Sequence, residues 1–215
     1  MSSTARAPLP PVDHLVWGGP SLEQEIERLE TLTGVRAAIG GRHPDEGTRN
    51  ALIRIGPTIY LELISPDPTQ APPPHPRWFD LDTLTEPRLI TWAAKAADLE
   101  QRAARARADG VELGEVRRSQ RELSNGQVLS WRLTYPDMRL GTGLVPFLID
   151  WGQSPHPAQT APGDVQLLEL WAEHPDPATI RAPLRQLGLD LDVVTGAAPA
   201  LIAVLDTPRG RVELR

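Results

Sequence analysis

Cysteine is absent from the 215 residues, and lysine occurs once, at Lys95. The first absence removes disulfides, thiol nucleophiles and thiolate metal ligands. The second leaves chemistry that needs a lysine with one candidate, and Lys95 has no motif around it. No run of about 18 apolar residues occurs, so no membrane-spanning helix is expected and no membrane partner. Met1 to Pro11 carries one arginine and no apolar stretch of the kind found in a secretory leader, which makes a cytoplasmic location the expectation. Positive charge is not in excess either. The net charge of -6 and the lack of any basic cluster paired with aromatics argue against a nucleic-acid partner. There is no GxSxG, HExxH or P-loop, so serine hydrolase, zincin and NTPase chemistries are unsupported. Gly141-Thr142-Gly143 is too short for a dinucleotide loop and precedes a strand, so no nucleotide cofactor is expected.

Proline, by contrast, is abundant: 23 residues, about twice its usual share. It clusters at Pro66 to Pro76 and at Pro155 to Pro162. Such segments resist helix and central strand and divide the chain into 12–65, a connector over 66–85, then 86–152 and 164–215.

The first segment reads as a strand from Val12 to Trp17 and a helix capped at Ser21, with Leu22, Ile26 and Leu29 on one face, ending at Gly34. A strand near Val35 to Ile39 follows, then two strong ones, Thr48 to Ile55 and Thr58 to Ile64, joined by Gly56-Pro57. The second segment repeats the order: Leu89 to Ala94, a helix from Asp98 to Asp109 closed by Gly110, then Val111 to Val116, Gln127 to Tyr135 and Leu144 to Trp151. Ser21-Leu22-Glu23-Gln24 lines up with Asp98-Leu99-Glu100-Gln101, as a duplicated unit would. The third segment reads as a partial copy, with strands at 165–172, 191–194, 201–205 and 211–214 and a helix at 178–187. The fold class is α+β, with repeated βαβββ units paired to form a curved sheet around a cavity.

Alternation divides each strand into two faces. His14, Thr48, Asn50, Arg54 and Glu62 lie opposite the apolar residues of their strands. In the second unit Ser130, Arg132 and Asp150 do the same, and Thr91 takes the place of His14. If the apolar faces pack on the helices, these polar residues converge on the cavity. A single sheet with one solvated polar face would leave the same pattern. Arg132, with Arg54, is the candidate fork for a substrate anion, and Asp150 is its candidate internal partner. His43, in a glycine-rich loop, and His156, between two prolines, are placed to act as acid or base over the cavity mouth.

Val12-Asp13-His14-Leu15-Val16-Trp17 with Tyr60-Leu61-Glu62-Leu63-Ile64 resembles the first unit of glyoxalase-like proteins in the vicinal oxygen chelate superfamily. The loop Gly41 to Leu52 strengthens the match, as does Phe147-Leu148-Ile149-Asp150-Trp151-Gly152 followed by Pro155-His156-Pro157. The resemblance implies a cavity that binds a small-molecule substrate, anionic if the arginines serve it, and allows a homodimer. It implies a divalent ion (zinc, nickel, manganese or iron) held by His14, Glu62 and Asp150, in a lyase, isomerase or dioxygenase acting on an oxygenated metabolite, with Glu62 or a loop histidine moving a proton. A metal-free protein that binds or sequesters a small molecule is the alternative.

Overall fold

The computed structural model describes residues 8–123, 125–135 and 141–215. The first unit comprises β1 (Val12–Gly18), α1 (Leu22–Thr33), β2 (Ala38–His43), β3 (Thr48–Gly56) and β4 (Ile59–Pro66). Helix α1 buries Leu22, Ile26 and Leu29 and stops at Gly34, whose N–H donates to the Glu30 carbonyl. Ser21 occupies the N-cap, but its hydroxyl turns to the Glu23 carboxylate instead of a backbone amide. The second unit comprises β5 (Arg88–Lys95), α2 (Leu99–Ala108), β6 (Val116–Glu122), β7 (Val128–Thr134) and β8 (Phe147–Asp150). In both units the first strand after the helix starts later than the sequence suggests. Val111 and Leu113 are buried as a loop against the core, and β6 forms only beyond the left-handed turn at Gly114 (φ 77).

The eight strands close into a barrel in the order β1-β4-β3-β2-β6-β7-β8-β5. One seam is the antiparallel pairing of β1 with β5. At the other, β2 meets β6 at Arg42 and Glu122. The third unit comprises β9 (Gln166–His174), α3 (Pro177–Gln186), β10 (Asp192–Thr195), β11 (Ala200–Thr207) and β12 (Gly210–Leu214). It keeps the element order of the other two but not their pairing. In the barrel units the first strand lies beside the last, whereas β9 sits between β10 and β11. Among the described residues no helix is long and apolar enough to cross a membrane.

Two apolar layers result. The outer one joins Leu15, Leu61, Leu63 and Trp92 on the barrel wall to Leu22, Leu29 and Leu99 of the helices and to Leu170, Ile180 and Leu201 of the third unit. Each such side chain, fully buried, contributes roughly 1.5–3 kcal/mol. The inner layer fills the barrel with Val16, Trp131, Leu133, Phe147 and Ile149, and with Trp78 and Phe79 from the proline-rich connector. Phe79 and Asp80 carry positive φ (60 and 54), a backbone costly for non-glycine residues, and these angles turn the connector inward.

The second unit therefore inverts the expected faces. Its apolar residues, Trp131, Leu133, Phe147 and Ile149, line the interior, and Ser130, Arg132 and Asp150 lie outside. Helix α1 offers β3 and β4 an apolar stripe, but arginine-rich α2 buries only Leu99 and Ala106. The outer face of β7 consequently meets polar partners, and the apolar face turns to the barrel axis.

Candidate functional site

The polar residues of the interior come from the first unit. His14 on β1, Asn50 on β3 and Tyr60 and Glu62 on β4 are all buried and line one cavity. They face inward because strand alternation sends Leu15, Leu61 and Leu63 to the outer core. The His14 ring stacks on Tyr60 with centroids 4.5 Å apart. Its Nε2 stands 3.7 Å from Glu62 Oε2, and Asn50 Nδ2 donates to Glu62 Oε1 at 2.5 Å. Burial, and then the charges of Asp13 and Glu62, push the Tyr60 hydroxyl well above its ordinary range, so it stays protonated.

Behind His14 lies Asp13, a carboxylate with three donors. Its Oδ1 accepts from His14 Nδ1 at 2.8 Å and Trp151 Nε1 at 3.2 Å, and its Oδ2 accepts from His156 Nε2 at 3.2 Å. His156 Nδ1 accepts the Ala158 N–H, which assigns the ring proton to Nε2. Burial alone would raise the Asp13 pKa, but the hydrogen bonds from His14 and His156 outweigh it and hold the carboxyl well below its ordinary value. Asp13 thus fixes His14 through Nδ1 and leaves Nε2 aimed into the cavity.

Arg121 on β6 enters the same space, only 4% exposed. Its Nη1 donates to Asn50 Oδ1 at 3.3 Å. Room for it exists because β2 carries Gly40-Gly41 at the seam. A Cβ on Gly40 would lie 2.2 Å from Asn50 Oδ1 and 2.9 Å from Arg121 Nη1, and one on Gly41 would lie 2.1 Å from the Glu122 carbonyl. His43, at the end of β2, pairs its Nδ1 with Thr48 Oγ1 at 2.9 Å. Burial, aided by the Arg121 charge, pulls its pKa down to about 3, so it is neutral at pH 7.

A profile of the Glyoxalase-like domain matches residues 12–188. The chain belongs to that family, and with it to the vicinal oxygen chelate superfamily. The match spans both barrel units of this glyoxalase-like protein and ends just beyond α3. No curated protein matches the chain. Among solved structures, a hypothetical protein from Staphylococcus aureus superposes with a TM-score of 0.66 at 14% identity, covering 89% of each chain; this is a likeness of fold. A methylmalonyl-CoA epimerase in complex with methylmalonyl-CoA and NH4+ reaches 0.47 at 21% identity, over 70% of this chain and 100% of that one. The Mycobacterium tuberculosis methylmalonyl-CoA epimerase reaches 0.40 at 21%, over 69% and 91%.

The glyoxalase-like cavity brings together His14, His43, Asn50 and Glu62, with Thr48 holding His43 and His156 reaching Asp13 from outside. The other candidates lie elsewhere. Arg132 is on the outer face, 44% exposed, and pairs with Glu100 of α2. Asp150 is half-buried beside it in the ladder and accepts the Gly152 N–H at 2.9 Å. The Ser130 carbonyl accepts the Ser154 hydroxyl at 2.6 Å. Arg54 is bound to the Gly163 carbonyl at 3.2 Å, and its own N–H donates to the Pro162 carbonyl. Thr91 is buried but is not a lining residue.

The expected ion set of His14, Glu62 and Asp150 is therefore not assembled. Among the described residues no group of three or more histidine and carboxylate side chains is arranged to hold a metal ion. His14 and Glu62 supply two donors where a divalent ion needs three or more, and the Arg121 cation shares their space. These residues do not fit a resident divalent ion.

Asp13 and Arg121 are the residues that sequence reasoning left without a role. Asp13 stood next to a candidate ligand, on the opposite strand parity. A shift of register between Val12 and His14 sends Val12 to the outer core and lets Asp13 reach His14. Arg121 sits in Val116-Arg-Arg-Ser-Gln-Arg-Glu122, a polar run without apolar alternation that carries no strand signal.

Proposed function

We propose that the barrel cavity is an active site that moves a proton on a small oxygenated metabolite, in a lyase- or isomerase-type reaction whose acid and base are the chain's own side chains. The observation that supports this reading most strongly is the His14–Glu62 pair. A histidine fixed by a buried carboxylate faces a second carboxylate across 3.7 Å, too far for a hydrogen bond. A substrate C–H beside the pair gives its proton to Glu62 Oε2, while His14, as an imidazolium with Nδ1–H on Asp13, gives its Nε2 proton to the carbonyl oxygen. Return of the proton from Glu62 to carbon and of the oxygen's proton to Nε2 closes the cycle. Asn50 holds Glu62 through Oε1, and Asp13 sets the ring of His14 through Nδ1. Acid–base groups so placed contribute typically ~10²–10⁴-fold. The alternative is a protein that binds a small molecule without transforming it, and the buried Arg121 cation favours ligand capture under either reading.

The test is exchange of solvent deuterium into the C–H next to the carbonyl of small 2-oxo acids and hydroxyketones, followed by proton NMR on chelator-treated protein. Wild type should accelerate exchange, and Glu62→Gln should slow it about 10²-fold or more. Wild-type exchange that Glu62→Gln leaves intact, or that proceeds only with added divalent ion, overturns the proposal. Ligand binding without exchange establishes the alternative.

A further inference from the structure

We infer that Arg121 is a carboxylate-binding residue and that the ligand of the barrel is a small carboxylic acid seated with its carboxylate on the unpaired edge of Arg121. The inference rests on the reading of the cavity as the ligand site and adds the chemical class. Arg121 is as buried as the core around it, and a buried guanidinium normally has a carboxylate beside it. Among the described residues no ion pair reaches Arg121. Glu62 acts on its charge without an ion pair and is itself held by Asn50. The Arg121 Nε, fully buried, has no hydrogen-bond partner. Nε and Nη2 form the guanidinium edge that grips a carboxylate by two parallel hydrogen bonds, and on Arg121 the partner at Nε is missing. Nη1, on the other edge, is spent on Asn50.

The setting is built for this side chain. Gly40-Gly41 clears the space it occupies, and the cavity it enters has aromatic walls. Trp78, Phe79, Trp131 and Phe147 line the same cavity and keep water off the cation, which strengthens its hold on an anion. Flat walls favour a flat ligand. A carboxylate is planar and matches the fork, whereas a tetrahedral phosphate needs donors from several sides. The free volume is ≈ 20 Å³, room for about one water, so a carboxylic acid enters only as lining side chains move.

Tryptophan fluorescence reads the cavity directly, because Trp78, Trp131 and Trp151 line it. Titrations would use formate, acetate, pyruvate and lactate, with hydroxyacetone and propane-1,2-diol as neutral counterparts and inorganic phosphate as the tetrahedral anion. At least one carboxylate should bind saturably, about 10-fold or more tighter than its neutral counterpart and than phosphate. Arg121→Lys should weaken that binding about 10-fold, since the fork geometry is lost, and Arg121→Gln should abolish it. Circular dichroism checks both variants. If Arg121→Gln does not fold, Arg121→Lys and the wild-type comparison of charged with neutral ligands carry the test. The inference falls if no carboxylate binds saturably, if the neutral compounds or phosphate bind as tightly, or if folded Arg121→Lys binds carboxylates like wild type. Carboxylate binding with no deuterium exchange keeps Arg121 in this role and removes the proton-transfer reading. Exchange on hydroxyketones with no carboxylate binding does the reverse.

Discussion

Replacing Asp13 by asparagine preserves shape and removes one negative charge at the junction of His14, Trp151 and His156. The three donor distances of 2.8, 3.2 and 3.2 Å mark hydrogen bonds to a charged acceptor, each worth about 1.5–3 kcal/mol. Asparagine keeps one carbonyl oxygen, so one side of the junction survives in neutral form. Its amide nitrogen turns N–H against N–H on the other side, and a buried donor loses its partner. The expected destabilisation is about 2–4 kcal/mol at neutral pH. The carboxyl is held below its ordinary value of 3.8. The stability it contributes is therefore present above pH 3.8 and is lost only as pH falls through the lower folded value. Wild type should exceed the variant by the full amount at pH 7 to 8, and the two should converge in strong acid. Urea titration followed by tryptophan fluorescence measures the difference, with slopes compared to confirm that both unfold alike. An Asp13→Asn protein within about 0.5 kcal/mol of wild type at pH 7 would refute the account of Asp13 as the residue that organises the two histidines.

Two further outcomes follow from burial and placement. His43 has a folded pKa lowered to about 3 from 6.5, so the unfolded chain binds more protons between those values. Wild type should lose about 1.4 kcal/mol per pH unit on acidification through that window, about 2 kcal/mol between pH 6.5 and 5. His43→Gln should lack that slope, and equal slopes in pH-dependent melts would count against the buried neutral ring. Arg132→Leu and Asp150→Asn should each leave ligand binding unchanged and stability within about 1 kcal/mol, because the Arg132–Glu100 pair is exposed. A 10-fold loss of binding in either variant, read by the same fluorescence titration, would contradict their outward placement.

Element order, the duplicated unit and the inward face of β4 were legible in the sequence. Leu61 and Leu63 alternate with Tyr60 and Glu62, and α1 carries one apolar stripe, so local period alone assigns these faces. His14, Asn50 and Glu62 follow from the same parity. The second unit has the same alternation, but period cannot say which face is inside. That depended on what covers each face: α2 has almost no apolar stripe, and the connector pushes Trp78 and Phe79 into the barrel, so the aromatic face of β7 and β8 turned inward and carried Arg132 and Asp150 out. Asp13 and Arg121 depended on tertiary structure altogether. One reaches His14 through a register shift, and the other enters the cavity only because β6 closes the barrel against Gly40-Gly41. Neither event has a local signature, since each is set by strands distant in sequence.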